Sequence, residues 1–163
     1  MIEDVLKDLR AQLRSFLPAA LDVEDAEYSA ADIVEFGAAF PLEDVGTADY
    51  YFSLASEPQN TPFIRLLPQG TDTQPLFTAQ AFLRHVIRIE AFVADTNARR
   101  QPFRAYRMGE AIRRVVSQRV EAGAESFQVD ESGAEWDLVL PFGGSLVMGC
   151  AVIVRCDEQE DRP

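Results

Sequence analysis

Fifty consecutive residues, 15–64, contain no lysine or arginine but ten carboxylates: Asp22, Glu24, Asp25, Glu27, Asp32, Glu35, Glu43, Asp44, Asp49 and Glu57. A segment so one-sided must either meet cations from elsewhere or keep its carboxylates in water. The cations are just as unevenly placed. Arg99, Arg100, Arg104, Arg107, Arg113, Arg114 and Arg119 are seven of the fourteen arginines, and they fall within 21 residues. An arginine face in an acidic protein is expected to meet carboxylates, on the same chain or on a neighbour, because the guanidinium fork binds them in pairs. Complementary regions of this kind also let copies of one protein bind head to tail, whereas the plainer reading makes both of them solvated faces.

The formal charge is −12, and its field repels phosphate. The basic and aromatic stretch Phe103-Arg104-Ala105-Tyr106-Arg107 is therefore not expected to bind DNA in the ordinary way. The chain has 163 residues, 47 % of them hydrophobic, which suits one domain with a real core and excludes wholesale disorder. It holds no apolar run of the length a membrane span needs. Met1-Ile2-Glu3-Asp4-Val5 lacks the basic and apolar parts of a secretory signal, so cytoplasmic synthesis is expected.

Ile2, Val5, Leu6, Leu9, Leu13, Phe16 and Leu17 recur at helical spacing and predict a helix over 2–17, stopped by Pro18. Residues 19–48 read as an acidic, irregular arm or insertion, with a short strand near 31–37. The period then changes to two. Strands are expected at Asp49–Ser56, at Pro62–Leu67 (closed by a Pro68-Gln69-Gly70 turn) and over 80–94. In the last of these, His85, Ile87, Ile89, Ala91 and Val93 take the core face. A second helix is expected at about 102–121, burying Ala105, Met108, Gly109, Ile112, Val115, Val116 and Val120, with Arg104, Arg107 and Arg114 on the opposite side. Phe127-Gln128-Val129 and Trp136–Leu140 should flank a Glu131-Ser132-Gly133 turn, followed by a long strand from Ser145 to Cys156 and a frayed tail at 157–163. The order indicates α+β, a mostly antiparallel sheet with two helices packed on one face.

Catalytic constellations are hard to assemble from these residues. His85 is the sole histidine, Lys7 the sole lysine, and Cys150 and Cys156 the sole cysteines. A lone core-facing histidine reads as structural, and two cysteines six apart in one strand are roughly 20 Å apart, too far for a disulfide. Asp22-Val23-Glu24-Asp25-Ala26-Glu27 departs from a calcium loop at Ala26. No enzyme activity, cofactor or metal is expected.

The amphipathic first helix, the acidic segment, the strand Arg84-His85-Val86-Ile87-Arg88-Ile89-Glu90-Ala91-Phe92-Val93, the helix after a short loop and the closing strand Leu146-Val147-Met148-Gly149-Cys150-Ala151-Val152-Ile153-Val154 resemble the tail-terminator (tail-completion) proteins of long-tailed bacteriophages. The resemblance is closest over residues 80–156, weaker over the first helix and absent across 19–48; it rests on pattern and order. It implies a structural virion protein of the neck, made in the host cytoplasm. Such a protein forms a ring, a hexamer in that family, which caps the tail-tube protein, stops its polymerisation and meets a head-completion protein, while DNA passes through the lumen without specific binding. On this reading Arg104, Arg107 and Arg114 are candidates for a subunit or tube interface. Asp22, Glu24, Asp25 and Glu27 are candidates for an acidic lumen or partner surface. The alternative is an acidic dimeric secretion chaperone wrapping an unfolded effector segment; such chaperones usually end in a further amphipathic helix, where this sequence has a strand and a charged tail. A plain oligomerising domain is the third reading.

Overall fold

A computed structural model describes residues 2–53, 57–75, 80–117 and 127–161. The fold is α+β, with two helices and a five-stranded mixed sheet. Helix α1 is Ile2–Phe36, and the two-residue strand β1 is Tyr50–Tyr51. Strands β2 (Phe63–Pro75) and β3 (Gln80–Val93) precede helix α2 (Gln101–Ser117). Strands β4 (Phe127–Phe142) and β5 (Ser145–Asp161) close the order. In space the strands run β1-β2-β3-β5-β4; β1 is parallel to β2 and the remaining neighbours are antiparallel.

The largest departure from the sequence reading is α1. It does not stop at Pro18 but carries that residue, exposed, in its interior. An interior proline removes one helical hydrogen bond and costs about 3 kcal/mol. Leu13, Leu17, Ala20 and Leu21 are buried on both sides of it, and that burial offsets the cost. The strand expected near 31–37 is helix as far as Phe36. Gly37 then takes φ 81° and its N–H donates to Ile33 O at 3.0 Å, a glycine helix end. Only 37–48 of the supposed arm is irregular.

Three expected turns or ends are strand instead. The Pro68-Gln69-Gly70 turn is a bulge inside β2, tolerated because β1 pairs only with Ile64 and Arg65 and Pro68 needs no partner beyond them. The Glu131-Ser132-Gly133 turn is likewise a bulge in one continuous β4, followed by a second between Glu135 and Leu138 where Asp137 has φ 58°. The tail is paired with β3 as far as Asp161 and with β4 as far as Glu158, and 162–163 lie outside the described residues. The strand expected over Asp49–Ser56 reduces to β1, residues 54–56 lying outside the described residues. Residues 118–126, with Val120 and the expected end of the second helix, lie outside them too.

Most of the core is one cluster. It joins Val5, Leu9, Leu13 and Leu17 of α1, Met108, Ile112 and Val115 of α2, and Ile64, Leu66, Ile87, Ile89, Val152 and Val154 of the sheet. Phe63, Phe92 and Val147 form a second cluster, with Leu138, Leu140 and Phe142 packed on it. The Phe63 and Phe142 rings are 5.8 Å apart although β3 and β5 separate their strands. In a flat sheet the two backbones would be roughly 14 Å apart, so the sheet curls around this second core. Gly143 and Gly144, both at positive φ, make the two-residue turn from β4 to β5.

Two expected outcomes follow locally. A Cβ at Gly109 of α2 would lie 2.6 Å from Trp136 Cζ3 and 3.0 Å from Cys150 Sγ. Trp136 is partly exposed and can yield, and alanine is the better helix former by about 1 kcal/mol. Gly109→Ala should therefore change stability by no more than about 1 kcal/mol while shifting the emission of Trp136, the single tryptophan, to the red. An unshifted spectrum would contradict this contact. On the sheet, Arg84 Nε and Nη2 donate to the two carboxylate oxygens of Asp157 at 2.8 and 3.0 Å, holding that carboxyl below its ordinary 3.8. A depressed folded pKa gives stability that is present above 3.8 and lost as pH falls through the folded value. Asp157→Asn should lower stability at neutral pH and flatten the acid limb below about pH 4 in denaturant melts. An unchanged limb would contradict it.

Candidate functional site

The acidic and arginine-rich segments meet each other within the chain. Beyond Leu17 and Leu21 the inward stripe of α1 continues at the same period through buried Glu24, half-buried Tyr28 and buried Asp32, so its inward face changes from leucine to carboxylate. α2 lies opposite. Arg107 Nη1 and Nη2 donate to Asp32 Oδ2 and Oδ1, both at 2.8 Å, and Arg114 Nη2 donates to Glu24 Oε1 at 3.0 Å. The Arg107 guanidinium also lies 4.4 Å from the Tyr28 ring centroid and 4.6 Å from that of Phe40.

Loop 37–49 is tied to the same seam. Arg104 Nη1 donates to Pro41 O at 2.7 Å, and Asp25 Oδ1 accepts the Leu42 N–H at 2.8 Å. Burial pushes the Asp25 carboxyl above its usual range, the Leu42 bond opposing it. Arg104 Nε and Arg100 Nη2 share Asp95, at 2.6 and 2.9 Å.

This geometry corrects part of the sequence reading. Arg107 is only 7 % exposed and Glu24 only 2 %, so neither presents its charge to a neighbouring subunit or a lumen. Arg104 is mostly buried against Asp95. Arg114 keeps 42 % of its side-chain surface even while paired. Asp22 and Glu27 are exposed and Asp25 is half-buried. The seven candidates are therefore split between an internal clasp and an outer acidic face.

What sequence reasoning missed is apolar surface. Val23, Ile33 and Val34 of α1 and Trp136, Val139 and Leu146 of the β4–β5 hairpin are exposed. Between these elements runs a chain of edge-to-face aromatic contacts, Phe36 to Phe103, Phe103 to Tyr106 and Tyr106 to Trp136, with centroids 5.9, 6.3 and 5.8 Å apart. The Tyr106 hydroxyl donates to Asp137 at the β4 bulge. The signal for the α1 residues lay in the 3.6 period, which continues past Pro18.

The single histidine and both cysteines are buried. His85 is buried with Nδ1 at 2.9 Å from Thr71 Oγ1. Cys150 and Cys156 are both buried, and burial pushes the Cys150 thiol up to about 12, far from a reactive thiolate. Among the described residues, no group of three or more histidine, cysteine or acidic side chains is placed to hold a metal, and no helix is long and apolar enough to cross a membrane. No protein-family model matches the chain, and no curated protein is significantly similar to it.

Proposed function

We propose that this chain is a structural subunit of an assembly rather than an enzyme, and specifically a ring-forming neck protein of a phage tail of the tail-terminator kind. In this reading both helices cover one face of the sheet. The single cluster joining Leu9 and Leu13 to Met108, Ile87 and Val152 supports that packing. The ring, six copies by the resemblance, caps the tail-tube protein and meets a head-completion protein, with DNA passing through without specific binding. The virion is then its site of action and the host cytoplasm its site of synthesis.

The observation that carries the proposal is exposed apolar surface on two separate elements. Val23, Ile33 and Val34 lie on α1 and Val139 and Leu146 on the β4–β5 hairpin, while the core is complete without any of them. A subunit held by copies of itself on one side and by a different component of the assembly on another needs two such surfaces, one for each kind of neighbour. Native mass spectrometry tests this. Six copies, or a monomer that gathers as a ring at the end of purified phage tail tubes in electron micrographs, supports it. A stable dimer with no affinity for tubes favours the secretion-chaperone reading and overturns it.

A further inference from the structure

The outer face of α1 carries a pattern that its inner face does not explain. Phe16, Ala19, Val23, Ala26, Ala30 and Ile33 follow each other at intervals of 3, 4, 3, 4 and 3, and all six are exposed, with Val34 beside them at 88 %. At 100° per residue they occupy an arc of about 100°, the narrow seam of a helix-to-helix contact. Over the same stretch the inner face carries Glu24, Tyr28 and Asp32. The usual order of an amphipathic helix is thus inverted, with carboxylates inward on arginine and aliphatic side chains in water. Alanines at 19, 26 and 30 leave room for a second helix to approach closely between the larger Phe16, Val23 and Ile33.

Charge selects what covers this seam. Asp22 and Glu27 are exposed and lie about 70° to either side of its centre line. A second copy laid symmetrically on the seam would bring these carboxylates against their own images, and residues 15–64 offer no cation to relieve them. We infer that the outer face of α1 is a docking site for an amphipathic helix of another protein, one with an apolar 3–4 stripe flanked on both sides by lysine or arginine. The seam from Phe16 to Ile33 is roughly 27 Å long, so it takes about five turns of the partner. The inference assigns exposed Asp22 and Glu27 to a protein partner. It gives the α1 face to a protein other than a copy and leaves Val139 and Leu146 of the β4–β5 hairpin to contacts between copies, which copy number tests separately.

The test uses the intact chain and two fluorescent 18-residue helical peptides with the same leucine stripe, one flanked by lysine and arginine and the other by glutamate. Fluorescence anisotropy should show binding of the basic-flanked peptide and at least tenfold weaker binding of the acidic one. The double variant Val23→Glu with Ile33→Glu should keep its circular dichroism and melting temperature, both sites being exposed, yet lose at least tenfold in affinity for the basic-flanked peptide. Because that variant adds two negative charges, any purely electrostatic attraction would grow. Equal or tighter binding therefore overturns the inference, as does equal binding of the two peptides. A drop in the native mass of the double variant overturns it as well, showing that a second copy covers the face. Should the double variant lose structure, Val23→Ser with Ile33→Ser carries the same expected tenfold loss and the same overturning result.

Discussion

Replacing Arg107 by methionine is expected to lower the melting temperature by roughly 10 °C. Arg107 spends both terminal nitrogens on Asp32, and both residues are buried, so deletion leaves an uncompensated carboxylate away from water. Breaking one partner of a buried pair costs about 3–5 kcal/mol. In a chain of this size each kcal/mol moves the melting temperature by about 2–4 °C. The guanidinium also stacks on Tyr28 and Phe40, contacts that methionine replaces only in part. Lysine should do little better, since one ammonium cannot make the two parallel bonds of the fork. Removing both charges, as in Arg107→Met with Asp32→Leu, should recover most of the loss, because well-packed apolar residues replace such pairs at little or no cost. Thermal melts decide the matter. A single variant within about 2 °C of the parent, or a double variant worse than the single, would show that the clasp does not hold the end of α1.

Gly149→Ala is the second large expected effect, and its cause is backbone rather than charge. In the β3–β5 ladder Gly149 faces Phe92, and a Cβ there would lie 2.3 Å from Ala91 O and 2.6 Å from Phe92 Cδ1. A side chain could move, but the Ala91 carbonyl belongs to a central strand. The strands must separate or shear, costing about 3 kcal/mol and some 6–12 °C in melting temperature. Trimming the ring in a Phe92→Leu background should not rescue the variant, since the carbonyl contact remains. Rescue by that background, or a melt close to the parent, would place the obstruction on the ring instead. The contrast with Gly109 is instructive: there the obstructing atoms belong mainly to the half-exposed Trp136, which can swing away.

How far the sequence was legible depended on whether apolar period alone marked an element. It did so for β3, where His85, Ile87, Ile89, Ala91 and Val93 alternate as expected, and for the buried stripe Ala105, Met108, Ile112 and Val115 of α2. It failed in the second half of α1. There the inward positions are Glu24, Tyr28 and Asp32, whose partners Arg114 and Arg107 are 90 and 75 residues away. A hydrophobic count sees such a face as solvent-exposed, and Pro18 reinforces the error. The two β-bulges misled for a related reason. Pro68-Gln69-Gly70 and Glu131-Ser132-Gly133 have turn composition, yet a strand with one free edge absorbs them as kinks. The expectation that the arginines meet carboxylates was legible, but which carboxylates, and on which copy, was not.

The place of β5 has a consequence for how the chain is made. β5 lies between β3 and β4, joining strands that both precede it. Synthesis must therefore complete α2 and β4 while one long edge of β3 waits without its neighbour, an interval of roughly 3–10 s at ordinary translation rates. During that time Ile87, Ile89 and Ala91 have only β2 and the helices for company. The sheet closes by insertion of its last-made strand, so a ribosome that pauses between Val93 and Ser145 leaves exposed the edge on which nascent copies would most readily pair with one another.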